Sequence, residues 1–259
     1  YNHRQIEQLL NGPVYRLTKP PRWRLDDYRF WLPLLGLYSG ARLSELCQLR
    51  LGDIREELGV WVISISSSGA RQLKTVDSER LVPLHKVILE AEFLAFHQQR
   101  LDATDGNLSA TLFENLRVYG DLSPGHTASR WFRGSDKDDK GYLGLCGLGD
   151  DELTYHGLRH TFIQQFRRQK LDMLIGKALV GHADRSTTGG YGDCYPSYVL
   201  KEELDKIDFE TSTTHILYND YKALQAQQGV FRIGRPVGAG TTKTASRPVK
   251  RHWQSRITR

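Results

Sequence analysis

Apolar residues recur along this chain with two different periods, which predict a mixed, mainly α-helical (α+β) fold with a small antiparallel β-sheet. Helical spacing is found over residues 25–37, 43–49, 86–101, 123–134, 156–169, 173–182, 199–207 and 216–228. Two stretches rich in β-branched residues, 60–66 and 79–83, are typical of strands. The polar segment between them predicts a hairpin connection.

Proline and glycine mark where several of these helices bend, begin or end. Pro33 lies inside the first helix and predicts a kink, because proline cannot donate the backbone hydrogen bond of a helix interior. Ser123 and Pro124 are typical of an N-cap and a first helical turn. The helix at 173–182 ends at a glycine, as helices often do.

Length and composition fit a globular protein without a membrane partner. The 259 residues suffice for one core with an extension, and the apolar fraction of 39% is ordinary. No apolar run approaches the roughly 20 residues of a membrane span. The start has neither a signal-peptide apolar stretch nor an initiator methionine, which indicates a fragment or a processed product. Three widely spaced cysteines indicate a reducing compartment, and Cys47 continues an apolar helical stripe, so we expect it in the core.

Positive charge is concentrated at the C-terminal end of the chain. The net charge is +6, but residues 221–259 contain nine Lys or Arg and no Asp or Glu, so residues 1–220 carry −3. Such a tail indicates an anionic partner such as nucleic acid. Residues 229–259 lack core-forming spacing, and we expect them to be flexible until bound. Their GAGTTKT sequence is not a phosphate-binding loop, because Thr242 replaces the glycine before the lysine.

Two patterns that could suggest a metal site do not satisfy the ligand rules. Residues 134–152 form a polar segment that we expect to be a loop, but Lys140 and Gly147 occupy positions where a calcium loop needs oxygen ligands. His156 and His160 have the spacing of zinc ligands on a helix, yet no third ligand accompanies them. We therefore expect no metal and no cofactor.

Six residues suited to chemistry on a phosphodiester occur in four short motifs. The motifs are SGARLSEL with Arg42, KTVDSERLVP with Lys74, YHGLRHTF with His156 and Arg159, and LVGH followed after eight residues by a tyrosine, with His182 and Tyr191. Arginines can neutralise the phosphate, a phenol can attack phosphorus, and histidine or lysine can move the protons. Each motif alone would fit an ordinary structural role.

In this order, the motifs resemble the catalytic domain of the tyrosine recombinase (phage integrase) family over residues 26–209. The resemblance implies a metal-free catalytic set, which consists of Arg42, Lys74, His156, Arg159, His182 and Tyr191. Arg42 and Arg159 would stabilise the charge that builds on the phosphate in the transition state. Glu45 would orient the helix that carries Arg42.

The resemblance also assigns the proton transfers. His156 is the candidate base for Tyr191, Lys74 would protonate the leaving 5′-oxygen, and His182 would bind the phosphate or position the tyrosine. Two glycines, 189 and 190, directly precede the tyrosine, and we hypothesise that this permissive backbone lets the nucleophile dock only on DNA or beside a partner protomer. A simple loop is the alternative.

The function implied is that of a site-specific DNA recombinase, an integrase or resolvase of a mobile element. Such an enzyme cleaves and rejoins strands through a 3′-phosphotyrosyl intermediate and needs double-stranded DNA. The resemblance further implies a homo-oligomer, a tetramer on DNA, with possible accessory proteins. We expect a cytoplasmic protein, associated with the nucleoid if the source is prokaryotic. The target site and the direction of recombination are not indicated.

The resemblance divides the chain into three parts. Residues 1–25 would be a lead-in, the remnant of a linker to a DNA-clamping domain absent from this chain. Residues 26–215 would be the catalytic domain, and residues 216–259 a C-terminal helix and basic tail. Within that last part, residues 216–228 are the candidate contact with a neighbouring protomer.

Two other functions and two other nucleophiles stay open at this point. A type IB topoisomerase-like enzyme would use similar groups to relax DNA without a specific site. A non-catalytic DNA-binding module is the third reading, although an intact set of six residues argues against it. Tyr195 and Tyr198 lie close to Tyr191 and are rival nucleophiles.

Overall fold

The protein is described by a computed structural model that covers residues 1–19, 21, 23–66, 79–116, 123–135, 139–149, 152–182 and 195–233, with backbone alone for 229–233. The helices within these ranges are α1 (His3–Leu10), α2 (Asp27–Ser39), α3 (Leu43–Cys47), α4 (Lys86–Glu90), α5 (Phe93–Asp102), α6 (Pro124–Arg133), α7 (Gly141–Leu145), α8 (Tyr155–Arg168), α9 (Met173–Val180), α10 (Ser197–Leu204) and α11 (Tyr218–Ile233). The strands are β1 (Ile54–Glu57), β2 (Val60–Ile65) and β3 (Arg80–Pro83). The expected helix-rich α+β fold is confirmed.

The three strands form one antiparallel sheet in the order β1-β2-β3. The predicted pairing of the second and third strands is confirmed, and Ile65 lies opposite Arg80 at the end of the ladder next to the connection between them. The sequence did not reveal β1, because Ile54 is the only buried residue of this short strand. Residues 67–78, which connect β2 to β3 and include Lys74, lie outside the described residues.

Helix α2 is the centre of the hydrophobic core. It is buried on nearly all sides, as expected for a helix that is apolar all round. Pro33 lies inside α2, which runs without interruption from Asp27 to Ser39. On one side α2 packs against α8, where a Cβ on Gly36 would come 2.5 Å from the Tyr155 hydroxyl oxygen. The small Gly36 thus allows α2 and α8 to approach closely.

The predicted helix at 86–101 is instead two helices. The chain turns at Glu92, whose φ of 72° cannot continue a helix, and α5 then starts at Phe93. At this break Glu92 binds the start of α11. Its carboxylate accepts hydrogen bonds from the Asn219 backbone N–H and side-chain amide, both at 2.7 Å. A contact 127 positions away in sequence therefore overrides the local helical pattern.

Two further helices were not predicted. Helix α1 buries Ile6, Leu9 and Leu10 in the main core, so residues 1–25 contribute to the same core as the rest of the chain. Helix α7 interrupts the segment 134–152 that we expected to be a loop, and it buries Tyr142, whose hydroxyl donates to the Leu9 carbonyl at 2.9 Å. The loop prediction was wrong there because two buried residues suffice to hold a short helix against α1.

Helix α11 packs on its own chain, although residues 216–228 were expected to contact a neighbouring protomer. Tyr218 and Tyr221 are buried, and their hydroxyls donate to Asp27 and to the Asp26 carbonyl, both at 2.9 Å. The helix also continues to Ile233, which corrects the expectation that order ends at residue 228. Residues 234–259 lie outside the described part of the chain.

The structure also reports on the expected burial of Cys47 and on membrane-spanning helices. Cys47 is buried with a free thiol, as predicted for a core residue, and burial raises the pKa of that thiol. None of the helices in the described ranges is both long and apolar enough to cross a membrane.

Candidate active site

The site begins at the sharp turn between α2 and α3. Gly40 ends α2 in a left-handed conformation with φ of 62°, which favours glycine. A Cβ at this position would collide with the ring of Phe162 and lie 2.9 Å from a methyl carbon of Val180. The turn places Arg42 at the N-cap of α3, two residues after the end of the central helix.

Glu45 holds Arg42 in place. Its carboxylate accepts from the Arg42 backbone N–H at 2.8 Å and from Arg42 Nη1 at 2.6 Å. The Glu45 side chain is 3% exposed, whereas that of Arg42 is 22% exposed. These contacts are those expected of a residue that orients Arg42, and the Arg42 side chain stays partly exposed.

A second arginine, Arg80 on β3, also binds Glu45. Arg80 Nη2 donates to Glu45 Oε2 at 2.8 Å, and Arg80 Nε donates to the Leu179 carbonyl at 2.7 Å. We did not select Arg80 from the sequence, although it stands in the quoted motif KTVDSERLVP. The available signal was an arginine within a strand whose neighbours are otherwise apolar.

Arg159 on α8 connects the other two sides of the site. Its Nη1 donates to the Gly40 carbonyl at 2.8 Å, and its Nη2 donates to the Val180 carbonyl at 2.6 Å. The residue is only 4% exposed. Its fork-shaped guanidinium therefore ties the end of α2 to the end of α9, which a single ammonium could not do.

The C-terminal end of α9 places His182. The last four carbonyls of a helix lack partners within it. Here Gly181 N–H donates to the Ala178 carbonyl and His182 N–H to the Lys177 carbonyl, both at 3.0 Å, in the pattern of a Schellman turn. Arg80 and Arg159 take the remaining two carbonyls. With its end fully bonded, α9 presents the exposed His182 beside the two arginines.

Positive charge dominates the electrostatics of this cluster. Burial, then the adjacent Arg42 and Arg80, lower the pKa of Arg159 to about 10. Burial would raise the pKa of Glu45, but its bonds and proximity to Arg80, and then to Arg42, hold it below its usual value. Two guanidiniums thus bind one carboxylate and a third, that of Arg159, lies near them, which leaves a net positive charge suited to an anion.

The same charges act on His182. Burial and then the guanidiniums of Arg159, Arg42 and Arg80 lower the pKa of His182 below its usual value. The imidazole is therefore neutral at physiological pH and offers one donor and one acceptor. This shared influence places His182 in the same electrostatic environment as both predicted catalytic arginines.

His156 lies on α8, three positions before Arg159. Its ring is exposed and meets the ring of His160 edge to face, with 4.6 Å between centroids. The start of α8 is fixed by Thr154, whose hydroxyl oxygen accepts from the Gly157 N–H at 3.2 Å. Within the described ranges, no group of three or more His, Cys, Asp or Glu side chains could hold a metal ion.

The structure thus brings Arg42, Arg159 and His182 together and places His156 on the helix of Arg159. The other two predicted residues, Lys74 and Tyr191, lie outside the described residues. The segment that carries Lys74 joins the paired ends of β2 and β3.

Comparison with known proteins shows which family the chain belongs to. The model of the phage integrase family matches residues 3–197, which is most of the chain. The chain belongs to the phage integrase family. The expected tyrosine recombinase catalytic domain is thereby confirmed.

Relatives of this integrase-family chain include two tyrosine recombinases. It is 29% identical over 196 residues to XerD of Proteus mirabilis, covering 73% of this chain and 53% of that protein. It is 31% identical over 184 residues to XerA of Pyrococcus horikoshii, covering 70% and 55%. The chain therefore spans about half the length of these curated relatives.

Solved structures similar to this integrase-family chain have lower identity. A XerA recombinase is 18% identical with a TM-score of 0.46, covering 91% of this chain and 63% of its own. A XerH site-specific recombinase bound to palindromic difH substrate, a post-cleavage complex, is 17% identical with a TM-score of 0.49, covering 90% and 53%.

Proposed function

We propose that this chain is the catalytic part of a site-specific DNA recombinase, an integrase or resolvase of a mobile element. Membership of the phage integrase family supports the proposal. The structural observation that carries it is the cluster in which Arg42 and Arg80 bind one buried carboxylate, that of Glu45, with Arg159 and neutral His182 beside them. Such a cluster favours a singly charged phosphodiester.

The proposed reaction is a transesterification at one backbone phosphate. The Tyr191 oxygen forms a bond to phosphorus while the bond from phosphorus to the 5′-oxygen breaks. His156 takes the proton of the phenol, and Lys74 donates a proton to the leaving oxygen. A 5′-hydroxyl of another strand reverses these steps and reseals the DNA, with no external energy source because the phosphotyrosyl bond conserves the phosphodiester.

Arg42 and Arg159 have the strongest structural support for roles in this reaction. Both are held by fixed partners, so their N–H groups need little reorganisation as charge builds on the phosphate. Neutral His182 can donate a hydrogen bond to a phosphate oxygen or to the phenol without adding a fourth positive charge. The roles of Lys74 and Tyr191 rest on the sequence motifs alone.

We infer that α6 contacts the DNA backbone. His126, Arg130 and Arg133 lie on its exposed side, and the helix contains no acidic residue. Its first turn lies against α3, where a Cβ on Gly125 would be 3.6 Å from Ser44 Cα. A basic stripe that begins beside the helix of Arg42 is well placed for phosphates next to the scissile one. We extend this role to the basic residues of 234–259.

We also infer that the chain acts as an oligomer on DNA, a tetramer when two sites are joined, and that it is nucleoid-associated if the source is prokaryotic. Family membership supports this inference. Because Tyr218 and Tyr221 of α11 pack on their own chain, a contact between protomers with α11 in this position would use its exposed side. Crosslinking with and without DNA distinguishes a DNA-dependent tetramer from a stable free oligomer.

One experiment tests the proposed chemistry. The chain is incubated with a pool of nicked duplexes of randomised sequence, and covalent protein–DNA adducts are isolated under denaturing conditions. We expect an adduct at Tyr191 that Tyr191→Phe abolishes while DNA binding persists. An adduct mapped to Tyr195 or Tyr198 would reassign the nucleophile. Relaxation of an arbitrary supercoiled plasmid would favour a type IB topoisomerase, and binding without any adduct would favour a non-catalytic module.

A further inference from the structure

Arg80 lies within the site but is not one of the six proposed catalytic residues, so its role needs a separate explanation. It is an arginine on a strand, its side chain is 6% exposed, and it lies in the centre of the site rather than at its surface. A buried guanidinium is costly unless its N–H groups are paired. The identity of its partners therefore indicates what it does.

Those partners belong to two separate elements of the site. Through Nη2 and, at 3.4 Å, through Nη1, Arg80 forks onto both oxygens of Glu45, the residue that holds Arg42. Through Nε it binds the Leu179 carbonyl in the last turn of α9. One planar group thus spans from the helix of Arg42 to the helix end that precedes His182.

The Arg80 guanidinium is closely surrounded by the turn at Gly181 and by its own strand. A Cβ on Gly181 would lie 3.0 Å from Arg80 Nη1, so the guanidinium sits directly beneath the turn that leads to His182. Arg80 also pairs with Ile65, the last pair of the β2–β3 ladder before the connection between the two strands. Strand β3, the helix of Arg42 and the end of α9 therefore meet at this one side chain.

We propose that Arg80 is a positioning residue, which sets the separation between Arg42 and His182 without touching DNA itself. This inference rests on the proposed recombinase function. A shift of about 1 Å in a catalytic group can lower a rate by about 10²-fold. Lysine cannot replace Arg80, because one ammonium cannot fork onto Glu45 and reach Leu179 at once.

The test compares Arg80→Met and Arg80→Lys with the unmodified chain, using a nicked duplex recovered from the adduct pool. We expect Arg80→Met to lower the single-turnover cleavage rate about 10²-fold or more. Arg80→Lys should lower it about 10-fold, since it keeps one of the two connections. The affinity for the duplex should change by less than about 3-fold in both, because the proposed role is not in binding.

A second readout separates geometry from charge. Because Arg80 contributes to lowering the pKa of His182, Arg80→Met should raise the pKa measured by NMR of histidine-labelled protein, whereas Arg80→Lys should not. A slow Arg80→Lys enzyme with an unchanged His182 pKa supports positioning by the fork. If Arg80→Lys cleaves at the unmodified rate, the proposal is wrong.

Arg100 offers a matched control for general loss of stability. It is also a buried arginine, with Nη1 bound to Glu114 at 2.8 Å and Nε bound to the Leu112 carbonyl at 3.3 Å. Arg100→Met should cleave at close to the unmodified rate at temperatures where it stays folded. An equal loss of rate in Arg100→Met and Arg80→Met would overturn the proposal.

The two proposals fail in different ways. If the unmodified chain forms no adduct, the recombinase function fails, and the NMR titration still reports whether Arg80 acts on His182. If the unmodified chain forms an adduct and Arg80→Met matches its rate, only the role of Arg80 fails. Should Arg80→Met not fold, the Arg80→Lys comparison decides the question.

Discussion

Arg159 and Gly40 lie 119 positions apart in the sequence, and a 2.8 Å hydrogen bond from Arg159 Nη1 to the Gly40 carbonyl joins them. Gly40 is the left-handed C-cap residue that ends α2, so the bond forms at the turn that terminates this helix. A backbone conformation at the end of the central helix therefore helps to set the position of Arg159, one of the proposed catalytic arginines. The stability of the fold and the geometry of the site are coupled here.

Gly40→Ala should be strongly destabilising. The alanine must adopt a positive φ, which costs about 1 kcal/mol, and its Cβ collides with Phe162 and crowds Val180, which adds about 1–3 kcal/mol. We expect the free energy of unfolding, measured by urea denaturation, to fall by about 2–4 kcal/mol. Gly106→Ala is the control, since Gly106 has φ of 74° with no atom within 4 Å and should lose only about 1 kcal/mol. Equal losses in the two variants would show that the collision is unimportant.

The parts of the site that the sequence predicted are those with a chemical requirement. Arg42, Arg159 and His182 were identified because they stand in motifs that resemble the tyrosine recombinase family and suit phosphate chemistry, and Glu45 because it matches an acidic position of that family. Arg80 was missed because its partners, Glu45 and Leu179, are 35 and 99 positions away. The local sequence pattern around Arg80 does not reveal contacts between residues so far apart in the chain.

The predicted and the missed parts of the fold differ for the same reason, the distance of the contacts that stabilise them. Long amphipathic stretches such as α8 were predicted, because their apolar residues repeat over several turns. The break at Glu92 was missed because Asn219 of α11 stabilises it from a distance. Helix α1 was missed because the N-terminal residues were interpreted through the family resemblance rather than through the spacing of Ile6, Leu9 and Leu10.

Arg159→Lys should separate binding from catalysis. A lysine keeps the positive charge but cannot donate to the Gly40 and Val180 carbonyls together, and it cannot fork onto a phosphate. We expect single-turnover cleavage of a nicked duplex to fall about 10²–10³-fold, while the affinity for the duplex falls less than about 10-fold. Arg55→Lys, on the exposed edge of β1, is the matched control and should cleave normally. Parallel losses of affinity and rate in Arg159→Lys would assign it to binding alone.

The double substitution Arg130→Ala and Arg133→Ala should weaken DNA binding in a salt-dependent manner. Each arginine that neutralises one phosphate adds about 0.9 to the slope of log affinity against log salt concentration. We expect the slope to decrease by about 2, with a similar effect on DNA of any sequence. The control removes Arg167 and Arg168, two exposed arginines in the last turn of α8, far from His156. If both double variants change the slope equally, the contribution of α6 is only that of net charge.

His85 should make the stability of the fold depend on pH. It is 1% exposed, its Nδ1 accepts from the Val87 N–H at 3.1 Å as the N-cap of α4, and its Nε2 lies 3.1 Å from the Ile207 carbonyl. Only the neutral ring protonated at Nε2 satisfies both contacts. Burial lowers the pKa of His85 to about 4, although Asp205 and the Ile207 carbonyl oppose the shift.

The sign of the pH effect follows from this lowered pKa. In the unfolded chain the histidine titrates near its ordinary value of about 6.5, so between about pH 6.5 and 4 the unfolded state binds more protons. The contribution of His85 to stability is complete above that window and is lost as pH falls through it, up to about 3 kcal/mol. Urea denaturation at several pH values measures this slope. His85→Asn should flatten it, because asparagine can still cap α4 but does not titrate. His126→Asn on the exposed side of α6 should leave it unchanged, and an unaltered slope in His85→Asn would assign the pH dependence to other groups.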